Sequence, residues 1–349
     1  MISAFEHPFL SGLLGDDKMS GALGLKAELA AMLAFETALA QAEAKAGVIP
    51  AEAASAISAG LARFKADIAA LKAGVARDGV VVPELVRQLR AGVGAPHDAH
   101  VHFGATSQDV IDSALMIRLR AALDLLGART ARLVSAFEEL AARGASRRMM
   151  GHTRMQAAIE IDVTDRIDTW MQPLSRHLER LETIRQTCLA IQFGGAAGTL
   201  EKLGDKGPTV RASLAQRLGL ADAPQWQSQR DRIAEIGNWL SMLTGSLGKF
   251  GQDIALMAQS GGEIELAGGG GSSAMPHKQN PVSAETLVAL ARFNATQVSA
   301  LHHSLVHEQE RSGAAWTLEW MILPQMAQAA GAATLRASAL TSSIRSLGR

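Results

Sequence analysis

The chain has 349 residues, 48 % of them hydrophobic and only 4 % aromatic, with no tyrosine and with 34 Lys plus Arg balanced by 34 Asp plus Glu. Zero net charge removes the global field that nucleic acids and anionic lipids exploit, and a single cysteine, Cys188, excludes an internal disulfide. No apolar run approaches the ~20 residues that span a bilayer, and the start lacks a basic stretch followed by an apolar one, so the chain reads as cytoplasmic, with no membrane and no nucleic-acid partner.

An alanine- and leucine-rich composition poor in aromatics favours close-packed helices over a β-sandwich. Residues 25–46 are a strong helical window stopped by Gly47, and Pro50 opens a second that runs to about residue 73. Residues 83–91 form a short third helix, and 96–104 carry His97, His100 and His102 through a loop. Residues 1–104 therefore read as a small N-terminal helical domain. From Thr106 the character changes. Thr106, Ser107 and Asp109 suit the N-cap and first turn of a helix that reaches Arg143 and stops at Gly144, a rise of roughly 55 Å. Its apolar residues are not confined to one stripe, which suits burial between subunits. Four more long helices are expected over 155–189, 229–260, 283–306 and 313–346, with Pro173 and Pro324 kinking two of them. The fold class is all-α, with residues 105–349 forming a bundle of long helices.

Residues 268–281 read Gly-Gly-Gly-Gly-Ser-Ser-Ala-Met-Pro-His-Lys-Gln-Asn-Pro. Four consecutive glycines give a hinge, and short polar groups follow before Pro281 opens a helix. No Gly-Lys-Ser or Gly-Lys-Thr occurs, so a phosphate loop gives way to a catalytic lid. Other polar motifs stand at helix ends. His102, Thr106, Ser107 and Gln108 precede the first long helix, where hydroxyls and free amides suit a carboxylate; taken alone they read equally as an ordinary cap. Thr153, Arg154 and Gln156 precede the second, where Arg154 can clamp a carboxylate or simply pair with a neighbouring helix. Arg230 opens the third, and Arg311 lies between the last two. The three histidines of 97–102 lack further ligands at metal spacing, so no metal site is expected. No Gly-x-Ser-x-Gly elbow supports a serine hydrolase, and Cys188 reads as packing.

Residues 271–281 resemble the GSSxMPxKxNP signature of the fumarase/aspartase superfamily, and residues 106–109 and 151–156 stand where that superfamily has its other two motifs. Within it, residues 103–112 and 310–316 are most similar to the cycloisomerases that lactonise 3-carboxy-cis,cis-muconate in protocatechuate degradation; residues 229–232 are shared with adenylosuccinate lyases as well. The resemblance runs from about residue 97 to the end. It implies a homotetramer with a twenty-helix core, five long helices per subunit, active sites shared between subunits, no cofactor and a small tricarboxylate substrate. It also implies that the further C-terminal domain of most relatives is absent after residue 349.

Carried over by motif, Ser272 is the general acid/base, Lys278 stabilises an aci-carboxylate intermediate, and Asn280 hydrogen-bonds substrate. His102 is either a second acid/base or a substrate binder. Thr106, Ser107, Gln108, Thr153, Arg154, Gln156, Arg230 and Arg311 are expected around the substrate. Many members have histidine in place of Arg154, paired with a glutamate that aligns with Glu285. Here that pair is expected as a salt bridge, and Arg154, Arg230, Lys278 and Arg311 are expected to balance three carboxylates. An adenylosuccinate lyase or related fumarate-releasing lyase is the enzymatic alternative, disfavoured by Arg154. A non-catalytic helical oligomer is disfavoured by the intact Ser272, Lys278 and Asn280.

Overall fold

The computed structural model describes residues 3–271, 273–275 and 278–349. Helices α1 (Ser11–Leu14), α2 (Asp17–Leu23), α3 (Leu25–Lys45), α4 (Ala51–Ala62), α5 (Ile68–Asp78) and α6 (Val82–Val93) lead into α7 (Ser107–Gly144). After a hairpin of β1 (Arg148–Thr153) and β2 (Gln156–Asp162) come α8 (Val163–Thr187), α9 (Gly207–Leu218) and α10 (Asp231–Ser260). Strand β3 (Ile264–Leu266), α11 (Val282–His303), α12 (Gly313–Ser343) and β4 (Ile344–Leu347) complete the chain, with β4 antiparallel to β3. No described helix is long and apolar enough to cross a membrane.

Helix α7 begins where Thr106 and Asp109 cap reciprocally, the Asp109 carboxylate accepting the Thr106 N–H at 3.0 Å. Helix α8 runs back along it, with Arg185 bonded to Asp124 and Trp170 packed on Phe137 further down. Helices α10 and α12 run in the same direction as α7. Arg230 and Trp316, at or near their starts, both meet Asp112 near the start of α7, while Phe250 meets Phe137 and the Gly331 carbonyl meets Arg129 further along. Helix α11 returns between them so closely that a Cβ at Gly248 would lie 2.4 Å from that of Ala291. Phe137, Trp170 and Phe250 join α7, α8 and α10 with ring centroids 5.0–6.0 Å apart.

Three expectations are corrected. The helix expected over 50–73 is two helices, because Asp67 turns its carboxylate onto the Ala70 N–H and caps a new start. The helix expected from residue 155 begins only at Val163, where Asp162 and Asp165 form a capping box; residues 148–162 are the β1–β2 hairpin. The last helix stops at Ser343, and residues 344–347 become β4, pairing back to β3. Pro173 and Pro324 do lie inside α8 and α12 without ending them.

Candidate active site

One set of expected residues gathers at the start of α7. Thr106 and Ser107 are half-buried there, and Arg311 donates through Nε to Gln108 Oε1 at 2.9 Å and through Nη2 to the Ala196 carbonyl at 3.2 Å. Both Arg311 partners are neutral, so its charge stays uncompensated. His102 sits just before the helix at φ +63° and bonds through Nδ1 to Glu36 Oε1 of α3 at 2.6 Å. Burial works against a charged imidazole, but the charge and hydrogen bond of Glu36 outweigh it and raise the His102 pKa above its ordinary value. Asp109 braces the corner by accepting from the N–H groups of Thr106, Gly194 and Gly195 and from Gln192. Burial still pushes its carboxyl up to about 6.

Two residues expected to meet substrate at this end are occupied instead. Arg230 has no exposed side-chain surface and lies between Asp112 and Glu319, donating to each with two N–H groups at 2.5–3.2 Å. Its planar face rests 4.9 Å from the Trp226 ring centroid. Burial opposes its charge, yet the two carboxylates win and raise its pKa. With four of its five N–H groups given to two buried carboxylates and no exposed side-chain surface, Arg230 holds α7, α10 and α12 together and presents no open edge to a substrate carboxylate. Gln108 is likewise fully buried, its amide donating to Asp112 Oδ2 and to the Gln227 carbonyl while its carbonyl accepts from Arg311.

The second set lies at the other end of α7. Arg154 and Met155 are the two central residues of the β1–β2 turn, both at positive φ (48° and 66°), with Thr153 facing Gln156 across it. That pattern is the tight hairpin turn whose twist matches the strands, usually made with asparagine and glycine. Thr153, Arg154 and Gln156 are exposed. The Met150 N–H donates to Glu263 Oε1 at 2.8 Å, which ties the hairpin to the stem of the glycine loop. Gly270 and Asn280 close the neck of that loop with two backbone hydrogen bonds of 2.8 Å, leaving Lys278 exposed. Ser272 falls outside the described residues. Glu285, on the first turn of α11, is exposed, and the expected Arg154–Glu285 salt bridge is not made within the chain. Among the described residues no carboxylate pairs with Arg154, Lys278 or Arg311.

The expected site residues therefore fall into two groups separated by the length of α7, 38 residues or roughly 57 Å.

A lyase family model matches residues 15–298. The chain is 42 % identical over 310 residues to the 3-carboxy-cis,cis-muconate cycloisomerase of Pseudomonas aeruginosa, covering 86 % of this chain and 67 % of that protein. It is 41 % identical over 329 residues to the enzyme of that name from Bradyrhizobium diazoefficiens, covering 91 % and 72 %. The chain belongs to the lyase family of the fumarase/aspartase superfamily. Its fold is the superfamily's: a crystal structure of the 3-carboxy-cis,cis-muconate lactonizing enzyme from Pseudomonas putida superposes with a TM-score of 0.90 at 34 % identity, over 97 % of this chain and 77 % of that one.

Several residues that hold the expected site residues in place carry no motif of their own. Glu36 is the first, and its signal was present: Met32, Phe35, Glu36, Leu39 and Glu43 share one buried stripe of α3, so two carboxylates fall where apolar residues belong. Asp112 and Glu319 had no local signal, since they reach Arg230 across 118 and 89 residues. Gly194 and Gly195 are the other omission. Gly195 has φ +69°, and a Cβ there would lie 3.0 Å from the Gly104 carbonyl, so glycine lets this loop close on the corner.

Proposed function

We propose that this protein lactonises 3-carboxy-cis,cis-muconate to 4-carboxymuconolactone, a step of protocatechuate degradation. The observation that carries the reading is the set of cations Arg154, Lys278 and Arg311, each beside short polar groups and none paired with a carboxylate among the described residues. A tricarboxylate supplies the missing charge, and the relatives named for this reaction support the choice.

In the reaction a carboxylate oxygen of the substrate attacks the double bond and forms the ring C–O bond. The π electrons move onto the neighbouring carboxyl group as an aci-carboxylate, and the α-carbon then takes a proton. Lys278 faces the developing charge, where an oriented donor has its largest effect on rate. Ser272 delivers the proton, and Asn280 hydrogen-bonds the substrate. Thr106, Ser107, Thr153, Arg154, Gln156 and Arg311 bind its carboxylates. The nucleophile is already ionised, so no base is needed to activate it. No cofactor enters these steps.

The reading includes a cytoplasmic homotetramer in which antiparallel long helices bring the α7 start of one subunit to the hairpin and glycine loop of others. The 57 Å or so between the half-sites supports it, since one chain cannot close that gap. So do exposed apolar side chains on the hairpin and on α10 and α12, among them Met155, Ile159, Met242 and Met321. The helices up to residue 104 form a domain apart from the bundle in this reading.

The test offers purified protein 3-carboxy-cis,cis-muconate and, separately, adenylosuccinate while ultraviolet absorbance is followed. Loss of the conjugated diene without cleavage of adenylosuccinate is expected. Cleavage of adenylosuccinate alone, or activity on neither, would overturn the assignment.

A further inference from the structure

His102 precedes α7 in a left-handed conformation that non-glycine residues adopt at a cost, so something must hold it there. Two contacts do. Arg90 of α6 donates through Nη2 to the Val101 carbonyl at 3.1 Å, fixing the backbone, and Glu36 Oε1 of α3 is hydrogen-bonded to Nδ1 at 2.6 Å, fixing the ring. The Glu36 side chain is 1 % exposed and its second oxygen, Oε2, has no hydrogen-bond partner, so His102 is the one side chain that answers its charge among the described residues. A carboxylate removed from water keeps its charge only beside a cation or several donors.

The charged groups around this pair are few. Asp109 of α7 favours a charged His102, Arg90 of α6 opposes it, and Glu36 dominates both. Glu43, two turns further along α3, is fully buried with both oxygens unpartnered among the described residues, and burial followed by repulsion from Glu36 pushes it up to about 9. Glu43 therefore stays neutral at pH 7. The imidazole keeps 13 % of its surface exposed, and Nε2 has no protein partner among the described residues.

We propose that Glu36 is a positioning residue that locks the His102 ring in one orientation and keeps it doubly protonated, so that Nε2–H meets a substrate carboxylate as a fixed cationic donor. In this arrangement His102 binds and does not act as a base: both ring nitrogens carry protons, and the Nδ1 proton points into the protein. The inference rests on the proposed function for its substrate, and on the substrate-binding alternative given for His102 from the sequence.

Two variants separate the inference from that reading. In Glu36→Gln the ring keeps a hydrogen-bond partner and loses its counter-charge, so KM for 3-carboxy-cis,cis-muconate is expected to rise about tenfold at pH 8 and to recover toward pH 6, with kcat changing less. A purely structural role for Glu36 would not make KM pH-dependent. In His102→Gln the rise is expected at every pH. A KM unchanged in His102→Gln shows that His102 does not face the substrate and removes the reading beneath the proposal. A rise in His102→Gln with a flat, unaltered KM in Glu36→Gln overturns the proposal and leaves the reading standing. Should Glu36→Gln fail to fold, the unmodified protein decides: its KM is expected to be flat between pH 6 and 8, and a rise with a midpoint near the ordinary histidine value of about 6.5 would contradict a permanently charged His102.

Discussion

Arg230 Nη1 donates to Asp112 Oδ2 at 2.6 Å while Nη2 donates to Oδ1 at 3.2 Å, and Nε and the second Nη2 N–H of the same guanidinium go to Glu319. Two buried carboxylates thus share one buried arginine, with His307 Nε2 a further 3.7 Å from Glu319 Oε1. Removing the cation strands both, so Arg230→Met is expected to cost about 3–5 kcal/mol of stability. Urea unfolding at fixed protein concentration measures this. A variant of normal stability with a raised KM would return Arg230 to the substrate.

Arg154 is expected to show the reverse pattern. It occupies a left-handed turn position that costs a side-chain-bearing residue about 1–2 kcal/mol, and it is exposed. Arg154→Gly relaxes the turn, so stability is expected to stay constant or rise by up to about 1 kcal/mol, while KM for the tricarboxylate rises about tenfold with the loss of a charged contact. Thermal melts and steady-state kinetics on one preparation distinguish this from a structural role, in which stability falls and KM holds.

Glu43 gives the protein a pH dependence of known sign. Its folded pKa, about 9, lies above the ordinary value of 4.5, so the native state keeps a proton that the unfolded chain releases. Its contribution is fully present below about pH 4.5 and is lost as pH rises toward 9, with a slope on the order of 1 kcal/mol per pH unit between those limits. Glu43→Gln removes that slope. Denaturant melts at pH 5 and pH 8 are expected to show the variant gaining on the unmodified protein at the higher pH. Parallel behaviour at both would mean that Glu43 is not held protonated.

The parts of the molecule legible in the sequence are those whose causes are local. Thr106 with Asp109, and Gly144 at the other end, marked α7 to within a residue because caps are written in adjacent residues. Pro281 marked the start of α11 at Val282 for the same reason. The β1–β2 hairpin was not, since Arg154 and Met155 take a turn conformation usually signalled by asparagine and glycine, and β2 reads through Ala157 and Ala158 as helix. Gly151 was the missed sign: a Cβ there would lie 2.8 Å from the Ile159 carbonyl across the hairpin. The ion pairs of Arg230 were not legible because nothing beside it in the chain reveals Asp112 and Glu319. A buried arginine and a substrate-binding one look alike until the fold brings their partners in.

The division of the site between the two ends of α7 has a direct test. His102→Gln combined with Arg311→Met damages only the α7 start, and Lys278→Met damages only the glycine loop. Each is expected to lower kcat/KM for 3-carboxy-cis,cis-muconate about a hundredfold or more. The two are unfolded together in urea, refolded as a mixture, and assayed by loss of the conjugated diene. Sites built from different subunits predict that the mixture recovers kcat/KM far above the mean of its parents, because some sites receive both undamaged halves. A mixture that stays at that mean, while unmodified protein regains full activity through the same procedure, would contradict the account.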